Sequence, residues 1–128
     1  MNAKFNDIIN SNDLVLVDFY ADWCGPCKMM SPILQEVKTN LKEAVKIIKV
    51  NVDQHQDLAS HFMVRGVPTL MLFKTGKMLW RQSGVLSSKD LTDILYQKLL
   101  ENKIPISDKS VIIGLAKKIN SNFLKRDS

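Results

Sequence analysis

Leu14-Val15-Leu16-Val17-Asp18-Phe19-Tyr20 is apolar at nearly every position, and Ala21-Asp22-Trp23-Cys24-Gly25-Pro26-Cys27 follows it directly. The first seven residues have strand length, and so continuous an apolar run belongs to a strand covered on both faces by helices. Past Cys27 the pattern changes to helical period, with Met30, Ile33, Leu34, Val37 and Leu41 on one face. Pro32 should bend that helix near its second turn, because it removes a backbone donor and crowds the preceding turn. A buried strand feeding a helix, with Cys-x-x-Cys at the junction, sets the class as α/β.

Working outward, Phe5, Ile8 and Ile9 suggest a short first helix, and Asn10 to Asp13 a turn. Val45 to Val52 reads as a second buried strand, Leu58, Ala59 and Phe62 as a short helix, and Pro68 to Phe73 as a third strand. Lys74-Thr75-Gly76-Lys77 turns the chain into Met78 to Ser83, an antiparallel hairpin. Ser87 stands three residues before Asp90 as an N-cap for the helical run Leu91, Ile94, Leu95 and Leu99. The order α-β-α-β-α-β-β-α gives a mixed central sheet flanked by helices on both faces. Trp80, Met63, Met71 and Met78 read as core or sheet-face residues.

Ile104-Pro105-Ile106-Ser107 then breaks the chain, dividing a domain over 1–102 from an extension over 103–128. In the extension Val111 or Ile112, Leu115, Ala116, Ile119 and Phe123 share one helical face. A single basic amphipathic helix is expected after a Pro105 hinge, docked through Ile112, Leu115, Ile119 and Phe123. Docking on its own domain, in a monomer, is the first expectation, and exchange of the helix between two copies in a dimer the second.

The 128 residues are 45% hydrophobic and 24% charged, enough to bury a core without disulfide staples. No apolar stretch approaches the roughly 18 residues of a membrane span, and Met1 to Asp7 holds no apolar signal core, which points to the cytoplasm. Of the 18 basic and 13 acidic residues, 12 and 10 lie in positions 1–100, so the net charge of +5 belongs largely to the tail. Lys117, Lys118, Lys125 and Arg126 read as a solvated helix face, and neither nucleic acid nor membrane is expected as a partner.

The cysteine spacing places Cys24 just outside the helix and Cys27 about one turn in. Unpaired amides and the positive end of the helix dipole then point at the first sulfur and favour its thiolate, the species that attacks a disulfide. Cys24 is the expected nucleophile, with Cys27 shielded behind it to resolve the mixed disulfide. Pro26 suits the first turn, where a missing N–H costs nothing. The competing use of such a pair, structural zinc, wants four ligands, whereas only His55 and His61 on a separate segment are left to join it. No metal or cofactor is therefore expected.

Val17 to Lys28 closely resembles the active-site segment of the thioredoxin family. The resemblance continues through Lys49-Val50-Asn51-Val52-Asp53, Val64 to Leu70 and Gly84-Val85-Leu86-Ser87, and spans about residues 5 to 100. It implies the thioredoxin fold with the usual N-terminal strand missing, leaving the Val45 to Val52 strand nearer the sheet edge, and with an extra C-terminal helix. It also implies that Asp18 is a buried carboxylate exchanging a proton with Cys27, that Lys49 moderates its pKa, and that Pro68 is a cis-proline opposite the cysteines. Trp23, Gly25, Pro26, Val67, Pro68 and Gly84 would bind substrate. The activity implied is reduction of disulfides in client proteins, with re-reduction by a thioredoxin reductase. The alternative is an interaction subunit of the same fold whose redox chemistry is incidental.

Overall fold

The structure, a computed structural model, describes the backbone of residues 2–104, 106 and 108–126 and the side chains as far as residue 117. Four strands form one sheet: β1 (Leu14–Tyr20), β2 (Lys46–Asn51), β3 (Thr69–Lys74) and β4 (Lys77–Ser83), in the order β2-β1-β3-β4. β1 is parallel to β2 and antiparallel to β3, and β4 is antiparallel to β3, so the sheet is mixed as expected. Five α-helices cover it: α1 (Ala3–Ile9), α2 (Gly25–Leu41), α3 (Gln56–His61), α4 (Ser88–Glu101) and α5 (Lys109–Arg126).

The period of two along β1 sorts its side chains into two cores. Leu14 and Leu16 join Met30, Leu34, Val37 and Leu41 of α2 and Leu91, Leu95 and Leu99 of α4 on one face. Val15, Val17 and Phe19 join Phe5 and Ile9 of α1 and Leu58 of α3 on the other. Phe62 anchors this second core, its ring meeting those of Phe5, Phe19 and Phe73 at 5.5 to 6.1 Å. By the same alternation Asp18 belongs to the face that α2 covers.

The hairpin turn bears out its sequence signal. Thr75 and Gly76 both have positive φ, at 50° and 78°, as a two-residue hairpin loop demands. Ser87 caps α4, its hydroxyl accepting the Asp90 amide at 3.1 Å. Pro32, expected to bend α2, lies inside a helix that continues to Leu41.

Several expectations need correction. β2 stands at the sheet edge, as the resemblance implied, but it is not buried along its length: only its last two residues, Val50 and Asn51, are buried. Its lysines Lys46 and Lys49 are exposed, as suits an edge that discourages pairing with other chains. Met63 is neither core nor sheet face: it is exposed, in the turn after α3, with φ 52°. Met78 is partly exposed at the start of edge strand β4, whereas Met71 is buried and Trp80 packs half-buried on the α2 core.

The face of α5 is also shifted. Val111 and Leu115 are buried in the α2/α4 core, while Ile112 is 45% and Ile113 54% exposed. Three consecutive β-branched residues carry no phase, and four-residue spacing from Leu115 selects Val111. Pro105 and the side chains of Lys118, Ile119, Phe123, Lys125 and Arg126 lie outside the described residues.

Candidate active site

Cys24 is the N-cap of α2, and its sulfur accepts the Cys27 N–H at 3.1 Å. Caps are ordinarily oxygen side chains that satisfy one of the orphan amides at a helix start. A sulfur in that place is held where donors and the positive helix end favour negative charge. Gly25 and Pro26 occupy the first two helical positions, and Pro26 removes no bond that the helix would otherwise make. Cys24 and Cys27 are joined as a disulfide with Cα atoms 5.3 Å apart. Both residues are 4% exposed, so position at the helix start, and not depth, distinguishes them.

Opposite the cysteines, the Val67 carbonyl oxygen lies 3.6 Å from the Cys24 sulfur, and the Val67–Pro68 bond is cis. The Pro68 carbonyl accepts the Gly84 N–H at 2.9 Å, where φ of 93° suits glycine. Val67 is half-buried, Gly84 exposed and Pro68 buried, so Pro68 supports this surface from beneath and is not part of it. On the other side Trp23 is 72% exposed beside exposed Gly25 and Pro26. An apolar rim therefore surrounds Cys24.

Asp18 is completely buried, and neither carboxylate oxygen has a hydrogen-bond partner among the described residues. Burial pushes its carboxyl up to about 6, and the nearby positive charge of Lys49 pulls in the opposite direction. Lys49 is the Cα partner of Asp18 across the β1–β2 ladder. Its ammonium donates to Ser31 Oγ at 3.2 Å and sits 4.6 Å from the centre of the Tyr20 ring. Cys27, Ser31, Lys49 and Tyr20 share an open cleft of about 160 Å³ with Ala21, Asp22 and Lys28. Cys27 and the lysine that biases Asp18 thus line one open cleft.

A buried carboxylate on the sheet face beneath a helix that begins Cys-Gly-Pro-Cys can be compared directly with known proteins. The thioredoxin family model matches residues 1–97. The chain belongs to the thioredoxin family. Thioredoxin of Pseudomonas aeruginosa is 44% identical over 95 residues, 73% of this chain and 88% of that protein. Thioredoxin of Acidithiobacillus ferridurans is 42% identical over 93 residues, covering 73% and 86%. Among solved structures, a point mutant of thioredoxin from Halobacterium salinarum superposes with TM-score 0.69 at 38% identity, covering 76% of this chain and 84% of that one. Oxidised mitochondrial thioredoxin 3 of Saccharomyces cerevisiae gives 0.67 at 34% identity, covering 73% and 87%. The protein is a thiol-disulfide oxidoreductase of this family, and its Cys24–Cys27 disulfide is its redox pair.

Cys24, Cys27, Trp23, Gly25 and Pro26 adjoin at the start of α2, Val67 lies against the Cys24 sulfur with Pro68 and Gly84 bonded next to it, and Lys49 is the ladder partner of Asp18. Sequence reasoning missed four polar residues, Asp22, Ser31, Asn51 and Asp53. Trp23 Nε1 donates to Asp53 Oδ2 at 2.9 Å, Asn51 donates to Asp22 Oδ2 at 3.4 Å, and Ser31 holds Lys49. Asn51 and Asp53 stand in one of the stretches that carry the family resemblance, which was a signal of place but not of role. His55 is half-buried at the N-cap of α3, and His61 is exposed with its ring edge on Phe62.

Proposed function

We propose that the protein reduces disulfides of client proteins in the cytoplasm and is returned to its dithiol by a thioredoxin reductase. The Cys24 thiolate attacks one sulfur of a client disulfide, forming a mixed disulfide and expelling the other client sulfur as thiolate. Cys27 then loses its proton to the Asp18 carboxylate and attacks the Cys24 sulfur. The Cys24–Cys27 disulfide forms, the second client thiolate leaves, and two electrons have passed to the client. Lys49 keeps Asp18 from rising so far that it could no longer act as a base near neutral pH. Trp23, Gly25, Pro26, Val67 and Gly84, backed by Pro68, dock the client, whose extended backbone meets Val67 beside the attacking sulfur.

The observation that carries this reading is the Cys27 amide donating to the Cys24 sulfur at the N-cap of α2, which favours a thiolate at the residue facing the rim. The family membership and the names of the relatives support the substrate class. Residues 1–102 form the catalytic domain and 103–128 a C-terminal extension, anchored on it through Val111 and Leu115. Insulin reduction coupled to a bacterial thioredoxin reductase tests the activity. Cys24→Ser should be inactive, while Cys27→Ser should attack once and stall, trapping clients that a small dithiol then releases. Activity surviving in Cys24→Ser, or no trapped client with Cys27→Ser, overturns the reading.

A further inference from the structure

Asn51 ends β2 with only 5% of its surface exposed. A buried amide is tolerated when its polar atoms are paired, and those of Asn51 are paired in two directions. Its Oδ1 accepts the backbone N–H of Asp53 at 2.9 Å and of Gln54 at 3.3 Å, curling the chain out of the strand as an Asx turn does. Its Nδ2 donates to Asp22 Oδ2 at 3.4 Å, across the space between the ends of β2 and β1. The Val52 N–H donates to the Tyr20 carbonyl at 2.9 Å and keeps the two ends in register.

The two arms end on adjacent residues of the β1–α2 loop. One reaches Asp22 directly, and the other runs through Asp53 to the indole N–H of Trp23 at 2.9 Å. At 72% exposure Trp23 has little packing to set its ring angle, so that bond does most of the orienting.

We propose that Asn51 is a positioning residue for protein substrates, setting the Trp23 indole beside Cys24 through Asp53 and steadying the loop through Asp22. The proposal rests on the reading of Trp23 as docking surface and extends it to a buried residue that touches no client. A ring ordered before encounter loses little freedom on binding, whereas a free one must be ordered by the client, and that cost appears as weaker docking. Thiol chemistry at Cys24, which depends on the start of α2, is affected far less.

The test is steady-state insulin reduction by Asn51→Ala, Trp23→Ala and the double variant, with a small dithiol as electron source. Asn51→Ala should raise KM for insulin by roughly threefold to tenfold while kcat changes less than about twofold. Its reaction with a small aromatic disulfide should also change less than about twofold. In the Trp23→Ala background Asn51→Ala should add nothing, because the residue it orients is gone. Should Asn51→Ala fail to fold, Asn51→Ser takes its place in the cycle. Additive effects of the two sites, or equal losses with insulin and the small disulfide, overturn the proposal. A raised KM in Trp23→Ala beside a wild-type KM in Asn51→Ala overturns it alone. A wild-type KM in Trp23→Ala overturns the docking reading and this proposal together.

Discussion

Asp18 and Lys49 face one another across the parallel β1–β2 ladder, a fully buried carboxylate beside a lysine that opens to solvent. The parity of β1 puts Asp18 under α2, and the edge position of β2 lets Lys49 reach the cleft that Cys27 lines. An uncharged partner on β2 would leave the carboxyl still harder to ionise, and a central β2 would bury the lysine as well. The edge keeps the balancing charge open to solvent, which spares the fold a buried ion pair.

Asp18→Asn should stabilise the oxidised protein in a pH-dependent way. Burial raises the native carboxyl from 3.8 to about 6, so between those values the native state holds a proton that the unfolded chain has lost. Stability from this group is complete below about pH 4 and falls as pH rises through 6, by up to about 3 kcal/mol. Urea unfolding at pH 4 and pH 8 should show the variant's advantage at pH 8 alone. An equal advantage at both would mean that charge burial is not its source.

Lys49→Gln should move the proton-transfer limb of the reaction to higher pH. Lys49 lowers the Asp18 pKa against the effect of burial, so its loss lets the carboxyl rise further and act as a base only in more alkaline solution. Resolution of a preformed mixed disulfide on Cys24, followed from pH 5 to 9, should have its acidic limb displaced upward relative to wild type. An acidic limb that stays in place, or moves downward, contradicts the assignment of Lys49.

Freshly reduced protein treated with limiting iodoacetamide at pH 6 should be labelled at Cys24 before Cys27, as read by fragment mass spectrometry. Both cysteines are buried to the same degree, so the preference comes from the amide and dipole at the α2 start. Labelling of Cys27 first would reverse the assignment of nucleophile and resolving thiol.

What the sequence made legible is what local pattern encodes. The β1 run, the change of period after Cys27, the Thr75-Gly76 turn and the Ser87 cap each lie within a few residues, and each stands where expected. The partial burial of β2 was only half legible, since Ile47, Ile48 and Val50 look the same in an edge strand and a central one. The phase of Val111-Ile112-Ile113 was ambiguous because all three are β-branched and apolar. The bonds of Trp23 to Asp53 and Asn51 to Asp22 join residues 30 and 29 apart. Such links appear only when the ends of two parallel strands are brought side by side.

Gly114→Ala should report whether α5 docks on α4 as described. Alanine in place of glycine in an undocked helix stabilises it by roughly 1 kcal/mol. Gly114, however, faces Tyr96, and a Cβ there would collide with the tyrosine hydroxyl, between the buried anchors Val111 and Leu115. In the full-length protein the substitution should therefore lower Tm, at a cost of about 1 to 2 kcal/mol for overpacking. Tyr96→Phe removes the atom in the way, so in that background the same substitution should cost little or become stabilising. The difference between the two backgrounds is the coupling across the α4–α5 contact, expected at about 1 to 2 kcal/mol. Gly114→Ala that stabilises both backgrounds equally would place α5 away from Tyr96 in solution, and the extension would then have to be sought as a free or exchanged helix.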